Sequence, residues 1–516
     1  MSSTPEFEAP PAAIGPGAID RRLPEFDPDF AGPGDKLPPT TGHPRGLYVL
    51  FGAEMWERFS YYGMRALLVL YLTKHLQYAR KDALALYALY TGLVYVTPLI
   101  GGFLADKVLG QRKAILVGGI VMALGHFAMA FEPLLYLALS LLILGNGFFK
   151  PNISTMVGNL YPQGDARRDG AYTIFYMGIN LGAFFAPLVC GWLGERVGWH
   201  YGFGAAGVGM IFGLVSFLLF QNLLVGGYPP GREEAGEGRL MAKDLVHVIL
   251  FALGCVGVAY GASRAWPSLQ PYTKYLIQAI AVLYAIAMGY VLAMVGTKGN
   301  SPEGVDWQRI AVILIVGVFS IVFWMGFEQA GGTLNLFADN KTERTLFGSE
   351  FPASFFQSIN PFLIFALAPV FSIFWARLDS TRFKLTSSAK MGVGLILLGI
   401  GFTIMFQADK AAGAAGKVGP QWLAAVYLFN TLGEICLSPI GLSLVNKLAP
   451  ARMASLMMAV WFLCTAVANY LAGILEAELA GSRMNLWLFL VAASVVPGLI
   501  LLVLTGPLKK MGHGRL

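Results

Sequence analysis

Apolar runs of 18 or more residues recur from about residue 47 to about residue 508. Each is long enough to cross a hydrocarbon core about 30 Å thick at about 1.5 Å of helix per residue. In lipid a backbone must satisfy its own hydrogen bonds, within a helix or around a closed barrel. These runs lack the apolar–polar alternation of a barrel strand, so the chain reads as an all-α integral membrane protein. Only 13% of its 516 residues are charged, whereas a soluble surface takes about a quarter.

The formal net charge of +7 does not point to nucleic acid, because no segment carries a dense basic run and the cations sit in loops between spans. Cys190, Cys255, Cys436 and Cys464 lie inside apolar runs, form no CxxC or Cys/His set, and read as small buried hydrophobes with no metal role. Residues 1–44 hold 10 of the 28 prolines and no apolar stretch, which predicts a disordered tail rather than a leader or a packed domain.

Fourteen spans are predicted, near 47–73, 83–105, 113–131, 134–158, 170–193, 200–223, 244–263, 272–296, 307–336, 352–378, 389–408, 420–446, 452–477 and 484–508. Residues 225–243, rich in Pro, Glu and Arg, read as a linker. The plan is a six-helix bundle over 45–224, an extra helix pair over 244–300, a second six-helix bundle over 301–508 and a short tail, 509–516. With both termini on one side, that side's loops collect about twice the Lys and Arg of the other, which predicts cytoplasmic termini.

Two six-helix halves joined by a charged linker resemble the major facilitator architecture. Gly101-Gly102-Phe103-Leu104-Ala105-Asp106-Lys107-Val108-Leu109-Gly110-Gln111-Arg112-Lys113 resembles the loop motif of that superfamily, and Ala376-Arg377-Leu378-Asp379-Ser380-Thr381-Arg382 is a degenerate echo in the second half.

A charged residue mid-span costs about 2.5–3.5 kcal/mol on insertion scales, yet the first span carries four. Glu54, Glu57, Arg58, Tyr61, Tyr62 and Arg65 follow the spacing i, i+3, i+4, i+7, i+8, i+11 and share one helix face. Such a stripe lines a polar cavity or pairs with another helix. Lys150, Glu328 and Glu434 fall in spans four, seven and ten when the extra pair is left uncounted. With span one these are equivalent positions of four three-helix repeats, which predicts one site near the midplane. Four carboxylates face three cations, and the surplus carboxylate makes a proton the natural coupling ion. A zwitterionic substrate or an uncounted group balances the sum equally. His126 and His247 are alternative relay groups, although a lone helical His is more often a packing residue.

Glu54-Met55-Trp56-Glu57-Arg58-Phe59-Ser60-Tyr61-Tyr62 resembles the ExxERFxYY motif of the proton-coupled oligopeptide transporter (POT/PTR) family. Phe175-Tyr176-Met177-Gly178-Ile179-Asn180-Leu181-Gly182 resembles its FYxxINxG signature, and the runs at 148–152 and 356–361 match two more. The resemblance covers about 45–508, with the extra helix pair of bacterial members. It implies a secondary active symporter in the bacterial inner membrane that imports di- and tripeptides with protons, works as a monomer and needs no cofactor. Arg65 and Lys150 would attract the peptide carboxylate, and Glu434, Asn180 and Asn360 would take its amino terminus. Tyr61, Tyr62, Tyr95, Trp324 and Trp461 would line the pocket. Glu54, Glu57, Arg58 and Glu328 would carry the proton-linked chemistry. Gating would fall to the pairs Arg65–Glu328 and Lys150–Glu434, and to Asp106 and Arg112.

The same fold carrying another small anion, such as nitrate, is the nearest alternative. An ATP-driven pump would need a GxxxxGK[ST] loop, and none occurs. No HExxH, GxSxG or Cys/His set supports an intramembrane hydrolase. The extra pair reads as peripheral and non-catalytic.

Overall fold

The computed structural model describes residues 42–162, 165, 167–228, 240, 242–269, 273–346, 348–382, 384–450, 453–479 and 484–514. The expected tail, apart from 42–44, and most of the expected linker lie outside the described residues.

Helix starts follow local capping chemistry. Ser301 accepts from the Gly304 N–H at 3.1 Å, Thr386 from Ala389 at 3.2 Å, and Asn485 from Trp487 at 2.9 Å, each satisfying a donor that the first turn leaves orphaned. The first bundle comprises α1 (Gly46–Leu70), α2 (Arg80–Leu104), α3 (Gln111–Ala128), α4 (Leu135–Asn159), α5 (Arg167–Trp192) and α6 (Trp199–Leu219). The extra pair is α7 (Ala242–Leu269) and α8 (Thr273–Lys298). The second bundle comprises α9 (Pro302–Phe327), a short α10 (Thr333–Lys341), α11 (Ile359–Asp379), α12 (Ser387–Ala415), α13 (Gln421–Leu448), α14 (Ala454–Leu479) and α15 (Leu486–Met511). A 3₁₀ segment, Ala353–Ser358, leads into α11. A two-stranded hairpin pairs Thr345–Leu346 with Ser349–Glu350, which the span count did not foresee.

Fourteen long helices thus stand where fourteen spans were expected. Among the described residues, twelve are long and apolar enough to cross a membrane. The other two are α1, with its four charged residues, and α3, whose 18 residues open with Gln-Arg-Lys.

Close helix crossings recur at matching places in the two bundles. A Cβ at Gly118 of α3 would lie 2.6 Å from the Gly145 carbonyl oxygen of α4, and one at Gly433 of α13 would lie 2.7 Å from that of Gly394 on α12. Small residues let membrane helices approach backbone to backbone, and here they fix the two helices that carry Asn146 and Lys150 in one bundle and Glu434 in the other.

Among the described residues, the bundles pack together on one face and part on the other. Away from the α1 N terminus, α2 packs on α14 where Gly92 meets Tyr470 and Gly473 meets Ala88. There, too, Lys74 pairs with Asp339 at 2.8 Å, and Arg80 donates to Glu476 at 3.0 Å. On the face of the termini, Leu99, Ile100 and Phe103 of α2 and Leu456 and Phe462 of α14 are exposed. The cleft between the bundles therefore opens toward the termini.

The extra pair splits between the bundles. α7 joins the first through a buried Lys113–Asp244 ion pair at 3.1 Å and contact of the Tyr136 and Trp266 rings. α8 joins the second, where the Tyr284 hydroxyl donates to the Leu314 carbonyl of α9 at 2.6 Å.

Candidate functional site

Three groups of buried charges stand in and around the cleft. The first lies inside the first bundle. Glu54 and Glu57 are wholly buried. Arg58 makes a two-pronged contact with Glu57 and lies 3.5 Å from Glu54. Lys150 pairs with Glu54, and the Asn146 amide donates to Glu57 at 3.3 Å. The Arg58 guanidinium also sits 4.9 Å from the centre of the Tyr61 ring, a favourable cation–π arrangement. Two carboxylates meet two cations, so the group is formally neutral.

The second group crosses between bundles. Arg65 of α1 pairs with Glu328, which stands at the 3₁₀ break that follows α9. The Arg65 Nε donates to the Tyr87 hydroxyl at 2.7 Å, so the guanidinium is held from two sides. Gly331 makes room for this arrangement, because a Cβ there would run into the Tyr87 hydroxyl. This pair is also formally neutral.

The third group belongs to the second bundle. Glu434 accepts from the Asn360 amide at 2.7 Å, and the same amide contacts the Thr431 hydroxyl at 3.1 Å. Among the described residues, no cation lies within ion-pair distance of Glu434. The surplus carboxylate of the sequence count therefore has a location: it is Glu434.

A cavity of about 200 Å³ lies between the bundles. Of the expected residues, Tyr62, Arg65, Tyr95, Asn180, Trp324, Glu328, Asn360 and Glu434 line it. Tyr61 is buried beside it against Tyr62, and Lys150, Glu54, Glu57 and Arg58 form their cluster behind that wall. Trp461 is not among the lining residues: it packs against Gly441 of α13, where a Cβ would strike its ring.

Two expected gating contacts take other forms. Lys150 binds Glu54 rather than Glu434. α4 and α13 belong to different bundles, which diverge on this face, so a desolvated ammonium takes the carboxylate in its own bundle. Arg112 turns to its own bundle instead. Its guanidinium donates to the carbonyls of Gly226, Gln221 and Leu224 at 2.8, 3.2 and 2.6 Å, closing the turn after α6, while Asp106 is exposed at the end of α2. A cation placed on carbonyls beyond a helix C terminus is locally stabilising. Neither histidine joins the site. His126 is buried in α3 and does not line the cavity, and His247 is exposed on α7.

Sequence reasoning missed Tyr176, Gln357, Tyr427, Asn430 and Ser438, which also line the cavity, and Tyr87, which holds Arg65. Tyr176 and Gln357 stand inside motif runs already singled out, and Ser438 lies four residues after Glu434, on the same helix face. Asn430 and Tyr427 lie four and seven residues before Glu434, hence on its helix face; Tyr87 had no comparable signal.

Two six-helix bundles around a mixed-charge cavity, closed on one face and open on the other, define a membrane transporter of the major facilitator fold. The chain belongs to the POT family, whose sequence model (PTR2) matches residues 112–484. It is 37% identical to the peptide transporter YePEPT of Yersinia enterocolitica subsp. palearctica over 91% of this chain and 95% of that one. It is 34% identical to a di-/tripeptide transporter of Lactococcus lactis subsp. cremoris, over 92% of this chain and 98% of the relative. The crystal structure of a peptide transporter POT in complex with sulfate matches with a TM-score of 0.76 at 35% identity, over 92% of this chain and 97% of that one. A POT family transporter in complex with a thioalcohol-conjugated peptide matches with a TM-score of 0.75 at 30% identity, over 91% and 98%. The protein is a multi-pass membrane transporter and not an enzyme.

Proposed function

We propose that this protein imports di- and tripeptides together with protons, by alternating access between the two bundles, with both termini in the cytoplasm. The observation that carries the reading is the layout of charge around the cavity. Arg65 stands on the first bundle's wall, and Glu434, the carboxylate without a cation, stands on the second. A short peptide of any sequence offers one carboxylate and one ammonium a few residues apart. The ammonium supplies the charge that Glu434 lacks, and Asn180 and Asn360 beside it complete the donor and acceptor set of that end. A buried charge is tolerated when paired and hydrogen-bonded, so the occupied site is better compensated than the empty one. Relatives named as peptide and di-/tripeptide transporters agree with this substrate class.

Proton coupling rests on the same bookkeeping. Without peptide, a proton is the smallest cation that neutralises the surplus carboxylate. The Glu54–Glu57–Arg58–Lys150 group and the Arg65–Glu328 pair are the switches, because each loses its neutral count when Lys150 or Arg65 turns to a substrate carboxylate. Release of Glu54 or Glu328 from its cation then favours protonation of that carboxylate.

Uptake of labelled dialanine into proteoliposomes, with and without an inward proton gradient, tests the proposal for wild type and Glu57→Gln. Gradient-driven accumulation that is lost in the variant, while downhill exchange persists, is the expected result. No dialanine uptake by the wild type under either condition would overturn the peptide assignment and favour a small anion such as nitrate.

A further inference from the structure

The closed face is held by more than surface ion pairs. α5 ends in a widened turn, Leu193–Val197, that turns Glu195 toward the second bundle, where its side chain is 7% exposed. Opposite stands the start of the helix that continues as α11. Its first backbone N–H groups have no helical acceptor, and the residue at its N-cap is Pro352, which has no side-chain oxygen to offer. Where α9, α12 and α15 begin, Ser301, Thr386 and Asn485 supply that oxygen from the same chain segment. Here the other bundle supplies it.

Glu195 Oε2 accepts from the Ala353 N–H at 2.9 Å, and Oε1 accepts from the Ser354 N–H at 3.0 Å and the Ser354 hydroxyl at 2.6 Å. Arg344 of the second bundle adds a cation 4.0 Å away. Gly191, one turn before Glu195, leaves room for the Ser354 hydroxyl, which a Cβ there would strike. Three donors on one buried carboxylate at a helix N terminus make a strong, directional set.

We propose that Glu195 is the latch of the closed face: its carboxylate caps the helix that continues as α11 across the bundle interface and thereby sets the balance between the closed and open states of that face. When the bundles part, the carboxylate leaves and the cap is lost, so opening must exchange three charge-assisted hydrogen bonds for water. The capped helix also carries Gln357 and Asn360 into the cavity, which joins the latch mechanically to the site. The inference rests on reading the chain as an alternating-access carrier; it does not depend on which substrate is carried.

The test is a distance measurement by pulsed electron spin resonance on the full chain in lipid nanodiscs, without peptide, in a background lacking the four native cysteines. Spin labels go on exposed Lys81 of the first bundle and Lys417 of the second, both on the closed face. Glu195→Gln is expected to raise the ratio of long to short distances at least tenfold. Ser354→Ala, which removes one donor of three, should shift it less and in the same direction, and the double variant should go no further than Glu195→Gln. An unchanged distribution in a monodisperse Glu195→Gln protein overturns the proposal. Should that variant fail to fold, Glu195→Asp and Ser354→Ala decide: no shift in either overturns it. Dialanine uptake is read separately. A wild type without uptake whose distances still respond to Glu195 would keep the latch and remove the peptide reading.

Discussion

Arg65 and Glu328 face one another across the bundle interface, and Tyr87 donates nothing to this pair but receives the remaining Arg65 Nε–H. The guanidinium thus spans a carboxylate of the second bundle and a hydroxyl of α2 in its own bundle. Removing one partner of a buried pair costs about 3–5 kcal/mol, because the other charge stays buried alone. Glu328→Gln should therefore lower thermal stability clearly, and gradient-driven uptake should fall at least tenfold. The exchange Arg65→Glu with Glu328→Arg should recover part of the stability and none of the uptake, since a substrate carboxylate would then meet a carboxylate on the first bundle's wall. A melting curve and a proteoliposome assay on the same preparations check both halves of this statement.

Glu434 should behave in the opposite way. It has no cation to abandon, so Glu434→Gln relieves an uncompensated charge and keeps an acceptor for Asn360. Stability should stay level or rise. Peptide affinity should fall, because a charge-assisted hydrogen bond to the ammonium contributes about 1.5–3 kcal/mol, or about 10–100-fold in Kd. Binding of dialanine by calorimetry, set beside the melting temperature, separates this from a folding defect. Equal losses in both would show that Glu434 serves the fold instead.

Tyr87 positions Arg65 without lining the cavity itself. Tyr87→Phe removes a single hydroxyl at a buried place and leaves the ring packing intact, so the expected stability loss is about 0.5–1.5 kcal/mol. Freed of that restraint, Arg65 samples more orientations. The apparent KM for dialanine should rise several-fold, with the maximal rate changed little. A variant with unchanged KM and a lowered maximal rate would place Tyr87 in the conformational step rather than in holding Arg65.

The membrane class, the number of helices and the charges that gather around the cleft were legible from residue order alone, for reasons these residues make plain. A span with Glu54, Glu57, Arg58 and Arg65 on one face must turn that face to a polar cavity or another helix rather than to lipid, and repeat-equivalent charges in spans four, seven and ten point to the same centre. Partners were less legible. Spacing within α1 says which side chains share a face, but whether Lys150 meets Glu54 or Glu434 depends on how far the bundles have diverged, and that is a property of the conformation. Arg112 shows a second limit. A loop motif reveals a cation only as part of a pattern, whereas the carbonyls of Gln221, Leu224 and Gly226 that receive it are over a hundred positions away. The trans-cap on Ala353 and Ser354 was hidden for the same reason: nothing near Pro352 in sequence reports that its missing cap comes from Glu195.

The cluster behind the cavity wall allows a test by double-mutant cycle. Lys150→Met alone leaves the buried Glu54 facing only Arg58 at 3.5 Å, and Glu54→Gln alone leaves the half-buried Lys150 ammonium without its carboxylate. Each single change should destabilise by an amount typical of breaking a buried pair, while the double variant removes one charge of each sign and keeps the group neutral. The double should therefore be more stable than either single, with a coupling energy of about 1–3 kcal/mol. Gradient-driven uptake should remain lost in all three, because the ammonium that leaves Glu54 for the substrate is gone or has nothing to release. If uptake returns with stability in the double variant, the Lys150–Glu54 pair is a packing device, and the link from substrate carboxylate to proton must run through Arg65 and Glu328 alone.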